Sequence, residues 1–332
     1  MRRRKGFRRA LLSTLAGSGL LFAGASWLVA RKIAGRLISA EGLGPPPRDR
    51  RDLLGALEEN ARIVSDERHR GSARSPVELA AVLASPGDVA SRPTILFLHG
   101  KGGNAIEWKA EAVRALRLGY NVLLPDLRGH GSSQGDFFTY GLLEKEDLAN
   151  ALASFRERHG LDLGRIGIHS CSAGSAVALE LAAGRPGVRA LWLESPYADP
   201  REMARHYLSL ATGIPAFLLG LTSRLAVRSA VKRVERELHV SGSSGLAHVD
   251  PLRTVSGIEA PILLVHGASD RLIPERFVER LALSLPPGSE VWRTPAGHCH
   301  HDDEPARVLA AEYERRWTAF FARHLPVTEI RT

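Results

Sequence analysis

Arg165-Ile166-Gly167-Ile168-His169-Ser170-Cys171-Ser172-Ala173-Gly174-Ser175-Ala176 is the stretch whose reading decides the fold of this 332-residue chain. A short apolar run, Ile166 to His169, has the character of a buried strand. It ends in small residues, and the chain then becomes rich in Ala and Leu through Ala183, as a packed helix does. A strand that turns sharply into a helix around one serine is the setting of a nucleophile elbow. The turn forces the serine into a strained backbone conformation and leaves room only for small side chains two residues away. Here those neighbours are Ser170 and Gly174. The usual pattern is Gly-x-Ser-x-Gly, so the chain departs from it at Ser170, whose Cβ crowds the turn more than glycine would.

Working outward, the alternation of strands and helices continues on both sides. Val77–Leu83, Thr94–Leu98 and Asn121–Pro125 read as strands before the elbow. Val188–Leu193, Pro261–His266 and Val291–Arg293 read as strands after it. Between them Ala105–Leu118, Leu142–Arg158, Phe277–Leu285 and Ala306–Phe321 read as helices. Short continuous apolar strands alternating with helices predict an α/β fold with a mostly parallel sheet covered on both faces. Residues 199–250 break the rhythm and read as a helical cap inserted at the C-terminal edge of the sheet, where open α/β sheets bind their ligands.

The net charge of +9 has a location. Arg2, Arg3, Arg4, Lys5, Arg8, Arg9, Arg31, Lys32 and Arg36 precede the first acidic residue, Glu41, and residues 37–332 balance to zero. A neutral body without a basic stripe excludes nucleic acid as a partner. Between Arg9 and Arg31 lie the uncharged residues Ala10 to Ala30. At about 1.5 Å per residue they are long enough for a transmembrane helix, with Trp27 at the interfacial end. The positive-inside bias puts the N-terminus in the cytoplasm and the remainder outside. A cleaved signal peptide, with Ala23-Gly24-Ala25 as its processing site, is the competing reading and gives a secreted or periplasmic protein. Residues 1–36 are thus the basic terminus and anchor, 37–74 a Pro- and Arg-rich linker, 75–198 with 251–325 the α/β domain, and 199–250 the cap.

A serine hydroxyl needs a base to take its proton and an acid to orient that base. In the chain order Ser…Asp…His, Asp270 follows the strand ending at His266, and His298 follows the last strand within Pro295-Ala296-Gly297-His298. The oxyanion requires backbone N–H donors. Ala173, at the start of the helix, is one candidate; Lys101, in the loop His99-Gly100-Lys101-Gly102-Gly103-Asn104, is the other. That loop matches neither Gly-x-Gly-x-x-Gly nor the P-loop spacing.

Together these residues resemble the α/β-hydrolase family over roughly residues 75–324. Asp126-Leu127-Arg128-Gly129-His130-Gly131-Ser132-Ser133 is similar to the family's loop after its fourth strand. Tyr140-Gly141-Leu142-Leu143-Glu144-Lys145-Glu146-Asp147 is similar to its motif opening the next helix. The combination resembles the serine aminopeptidase-like, or membrane-anchored BEM46-like, branch, which tends to carry an N-terminal transmembrane anchor. The resemblance implies a Ser172–His298–Asp270 triad, no cofactor and no metal.

The expected activity is that of a serine hydrolase of carboxylic esters acting on a small-molecule ester or amide. The apolar run Tyr207–Thr222, flanked by Arg201, Arg205, Arg224, Arg228, Lys232 and Arg233, points to an acyl or lipid-like substrate. A peptidase is the first alternative, with Glu202 or Asp199 to hold a substrate amine; a non-catalytic binding protein is the second. Glu194 is an alternative acid, and His169 reads as a strand residue beneath the elbow. His300, His301, Asp302 and Asp303 read as solvated loop residues in preference to a metal cluster. Cys171 and Cys299, the two cysteines, each adjoin a catalytic candidate. They read as small buried thiols, with a redox pair as the alternative.

Overall fold

The computed structural model describes Ser39 and residues 50–237, 249–300 and 307–327. These fall into two compact units: residues up to 200 together with those from 249 onward, and residues 201–237. The larger unit is built on an eight-stranded sheet. Its strands are β1 (Arg62–Arg70), β2 (Glu78–Ser85), β3 (Thr94–Leu98), β4 (Asn121–Pro125), β5 (Ile166–Cys171), β6 (Val188–Glu194), β7 (Ile262–Gly267) and β8 (Glu290–Thr294), in the spatial order β1-β2-β4-β3-β5-β6-β7-β8. The first two pairings, β1 with β2 and β2 with β4, are antiparallel, and all the others are parallel. The helices of this unit are α1 (Arg50–Glu58), α2 (Lys109–Arg117), α3 (Glu144–His159), α4 (Ala173–Ala182), α7 (Pro251–Val255), α8 (Glu275–Ala282) and α9 (Ala310–His324). The smaller unit carries most of α5 (Pro200–Thr212) and all of α6 (Gly220–Glu237), which are inserted between β6 and β7.

The reason the central strands lack polar alternation is visible in the packing. Val82, Ala84, Ile95, Phe97, Val122, Leu124, Ala190, Trp192, Leu263 and Val265 share one core with side chains of α1, α2 and α9. The intervening residues Leu83, Leu96, Leu123, Ile168, Leu191 and Leu264 are equally buried. Both faces of the sheet are therefore covered, and side chains along the central strands are apolar except where a polar group is hydrogen-bonded.

Two expectations are corrected. Residues 37–74 are not a linker throughout, because α1 and β1 lie within them. The strand was hidden by its composition: Arg-Ile-Val-Ser-Asp-Glu-Arg-His-Arg is charged because it sits at the sheet edge, where charge guards against pairing with other chains. The helix expected from Ala105 opens as a 3₁₀ turn over Ala105–Trp108, with the Asn104 side chain accepting from the Ile106 N–H. The expected transmembrane or signal segment lies outside the described residues. Among the described residues no helix is long and apolar enough to cross a membrane.

Buried polar groups fasten the layers. The Arg128 guanidinium forks onto Asp147, with Nε to Oδ2 at 2.9 Å and Nη2 to Oδ1 at 2.7 Å, and both side chains are almost fully buried. Burial acts to raise the Asp147 pKa and, despite Arg128, leaves it above the usual carboxylate value. Asp147 also accepts from the Ser72 N–H, joining α3 to the segment before β2. Glu144 accepts from the Thr139 and Gly141 N–H groups and the Thr139 hydroxyl, which closes the turn ahead of α3. Replacing Asp147 by Ala strands a buried guanidinium, and chemical denaturation should report a loss of about 3–5 kcal/mol.

Candidate active site

Ser172 sits between β5 and α4 with φ 52° and ψ −120°, in a region L residues rarely occupy. Such a conformation costs on the order of 1–3 kcal/mol and persists only where the surroundings hold it. Its N–H donates to the Glu194 carbonyl at 2.8 Å, and its carbonyl accepts from the Ser175 N–H at 3.0 Å. Gly174 is required: a Cβ there would stand 2.5 Å from the His99 carbonyl oxygen and 2.7 Å from that of Leu98. Ser170, where the pattern asks for glycine, is accommodated through its hydroxyl, 3.3 Å from that of Ser175, which in turn reaches the Glu194 carbonyl.

His298 and Asp270 are brought together from 28 positions apart, with Nδ1 2.8 Å from Oδ2. The other carboxylate oxygen accepts from the Leu272 and Ile273 N–H groups, each at 2.9 Å. Burial of Asp270 acts to raise its pKa. The hydrogen bond and charge of His298, the Ile273 N–H and the Ser195 hydroxyl outweigh it and hold the carboxyl below its ordinary value. Asp270 is thus an ionised acceptor that fixes the imidazole with its proton on Nδ1 and leaves Nε2 as the basic nitrogen.

The loop after β3 lies against the elbow, since a Cβ built on Gly100 would be 3.4 Å from the Ser172 Cβ. His99 sets its conformation. The His99 Nε2 accepts from the Leu127 N–H at 2.9 Å, so its proton is on Nδ1, which donates to the Gly100 carbonyl at 2.8 Å. The Gly103 N–H donates to the same carbonyl at 3.1 Å. Carbonyl and N–H point opposite ways across a trans peptide. Two donors on the Gly100 oxygen therefore fix the direction of the Lys101 N–H, which is the preorganisation an oxyanion donor needs. Burial and the nearby His130 lower the His99 pKa to about 3, so the ring stays neutral in this role. Burial also lowers the Lys101 ammonium to about 8.

The remaining candidates are elsewhere. Glu194 does not face His298: its Oε1 accepts from the Trp192 indole at 2.9 Å, is 3.1 Å from His169 Nε2, and accepts from the Tyr313 hydroxyl. The Trp317 indole donates to His169 Nδ1 at 3.2 Å. His169 is thus a buried structural residue under the elbow. The side chains of His300, His301, Asp302 and Asp303 lie outside the description.

One participant was present in the sequence reading only as the alternative, and a second was missed. Cys171 and Cys299 are not separate buried thiols but a disulfide, with Cα atoms 5.7 Å apart across a separation of 128 positions. Ser195, at φ 44°, accepts from the Cys299 N–H at 3.0 Å and hydrogen-bonds Asp270. The placement of each cysteine beside a catalytic candidate was the available signal for the first. Nothing in the sequence marked the second.

A doubly covered parallel sheet with a strained serine after its fifth strand and a His–Asp pair after its last two defines an α/β-hydrolase. A model of the alpha/beta hydrolase family matches residues 95–312, and the chain belongs to that family. YqkD of Bacillus subtilis is similar at 30% identity over 190 residues, 57% of this chain and 58% of that protein. The chain is thus aligned to less than two-thirds of that relative's length. Among solved structures, the Pyrococcus furiosus esterase Pf2001 is similar in fold with a TM-score of 0.61 at 20% identity, over 85% of this chain and all of that one. The Pyrococcus horikoshii acylaminoacyl peptidase is similar with a TM-score of 0.58 at 18% identity, over 84% of this chain and 44% of that one.

The His99 geometry has a measurable signature. An unfolded histidine titrates near 6.5, whereas native His99 titrates at about 3. Between these values the unfolded state binds a proton that the native state does not. The stability contribution of His99 is therefore complete above about pH 6.5 and is lost as pH falls toward 3, at up to about 1.4 kcal/mol per pH unit. Urea midpoints across this range should show a shallower acid limb in His99→Gln than in the wild type.

Proposed function

We propose that this chain is a serine hydrolase that cleaves carboxylic esters through an acyl-enzyme, with Ser172 as nucleophile, His298 as general base and Asp270 as its orienting acid. The observation that carries the reading is the 2.8 Å bond from His298 Nδ1 to a buried, ionised Asp270, with a His298 ring nitrogen within 4.8 Å of the sulfur of Cys171, the residue before the strained Ser172. Ser172 Oγ attacks the acyl carbonyl while His298 Nε2 takes its proton. The developing imidazolium is stabilised by Asp270, which stays ionised. The negative charge on the tetrahedral intermediate is met by the Lys101 and Ala173 N–H groups, the latter at the N-terminus of α4 where the helix dipole assists. Collapse releases the alcohol, protonated by His298, and water repeats the sequence on the acyl-enzyme.

Two features support a narrower description. The cap segment exposes a cluster of apolar side chains, among them Phe217 at 80% and Leu218 at 57% exposure, together with Leu210, Ile214 and Leu221. Exposed apolar clusters of this kind mark binding surfaces, and this one suits an acyl chain. The disulfide fits an oxidising compartment. That is the side to which the positive-inside bias sends everything after Ala30, whether the uncharged segment stays as an anchor or is removed as a leader.

A fluorophosphonate probe should label the wild type and not Ser172→Ala; labelling that survives the substitution removes the assignment. Asp270→Asn should retain the fold and lose about 10³–10⁴ in kcat, because the amide favours the wrong imidazole tautomer. Across p-nitrophenyl esters from acetyl to palmitoyl, kcat/KM should rise with chain length. A steep preference for acetyl would count against an acyl-chain site.

A further inference from the structure

We propose that the Cys171–Cys299 disulfide is a positioning element for the catalytic base, and that hydrolysis requires it to be closed. The inference rests on the Ser172–His298–Asp270 reading and extends it. Cys171 is the last residue of β5, immediately before the nucleophile, and Cys299 immediately follows the base. The bond therefore joins the two reacting residues through one neighbour on each side, across 128 positions of chain. No nearer covalent link is open to two side chains that must themselves remain free to react.

The base needs such a link because of where it sits. His298 belongs to the connection between β8, which ends at Thr294, and α9, which begins at Ala310. The disulfide closes 128 positions of chain, and ties across long stretches gain most in loop-closure entropy. The Asp270 bond restrains only the imidazole ring, which can swing with its backbone. At the backbone, Cys299 is held in the left-handed region, φ 56° and ψ 25°, inside the short turn His298–His300. A non-glycine residue stays there only when its surroundings impose it. Two contacts do so: the disulfide to Cys171, and the Cys299 N–H donating to Ser195 Oγ at 3.0 Å. Ser195 also hydrogen-bonds Asp270, so the residue after β6 registers the acid and the turn carrying the base from one hydroxyl. Opening the disulfide removes the covalent one of these two contacts and leaves the hydrogen bond to Ser195. Both sulfurs are buried, so the closed bond is shielded from casual exchange.

Reduction by an external dithiol transfers two electrons and two protons. The Cys171–Cys299 S–S bond breaks to give two thiols, and the dithiol is oxidised to its cyclic disulfide. His298 then relaxes out of reach of Ser172. A misplacement of about 1 Å is worth about 10²-fold in rate, and the loss falls on kcat because the acyl site itself is untouched.

The test uses the full oxidised chain. Fluorophosphonate labelling first establishes a competent serine; an oxidised protein that neither labels nor hydrolyses p-nitrophenyl esters sinks the hydrolase reading and this proposal together. With labelling in hand, the double variant Cys171→Ala/Cys299→Ala, shown to be folded by near-UV circular dichroism, should lose about 10²-fold in kcat with KM changed less than about threefold. A folded double variant with kcat within about threefold of wild type overturns the proposal and leaves the hydrolase reading standing. If the double variant does not fold, the reduced wild type decides. Mass spectrometry after alkylation reports the state of both thiols. Full activity with both thiols free overturns the proposal, whereas a loss that reoxidation restores supports it. Ser195→Ala in the oxidised background should give a smaller loss in kcat, and the same substitution in the reduced protein a larger one.

Discussion

The backbone of Ser172 is the constraint around which the rest of this molecule is arranged. A left-handed serine at the end of a central strand is unstable by itself, and it survives because each neighbour supports it. Glu194 of β6 accepts its N–H, Ser175 closes the first turn of α4, and Gly174 lets the helix approach the carbonyls of His99 and Leu98. Below the turn, His169, Glu194, Trp192, Tyr313 and Trp317 form a buried network in which the polar groups satisfy one another. A half-satisfied network there would be worse than an apolar core. The elbow is thus bolted to β6 and α9 as well as to its own strand.

The same economy appears in the loops that converge on the serine. His99 is held neutral by burial so that it can orient one peptide group, and the catalytic candidate His298 is held by an ionised Asp270 so that it can accept a proton. Two histidines on loops at the same sheet edge receive different duties because one is sealed in the interior and the other is paired with a carboxylate and reaches solvent. Ser195 serves the second arrangement from beneath. Its unusual backbone places one hydroxyl between Asp270 and the turn that carries His298. The disulfide completes it from the side of Ser172. The His298 ring is held by Asp270, and the backbone of the next residue is held from the end of β5 and from the residue after β6.

Much of this was legible in the chain, and for a definite reason. Strands buried on both faces are mostly apolar, so β3 to β7 announce themselves as short hydrophobic runs. The elbow is local: a strand, a turn and a helix contained within twelve residues, with steric demands that fall on the adjacent side chains. Chain order put Asp270 and His298 after two successive late strands, and they do follow β7 and β8 with their side chains in contact. The edge strand β1 escaped because its protection lies in charge, which makes it read as a linker. The departure at Ser170 looked like a defect in the sequence. It is a substitution absorbed by the Ser175 hydroxyl, a partner five residues on along a different element.

What the sequence determined by itself is the architecture and the identity of the candidate reacting groups, because periodicity, turn chemistry and order along the chain are properties of neighbouring residues. What only the tertiary structure decided is which distant groups act together. The two cysteines stand 128 positions apart and are joined because the turn after β8 reaches back past the ends of β7 and β6 to the end of β5. Ser195 has its role because β6 lies between them, next to both β5 and β7. Such contacts depend on the order of strands across the sheet, and that order leaves no trace in the spacing of residues along the chain.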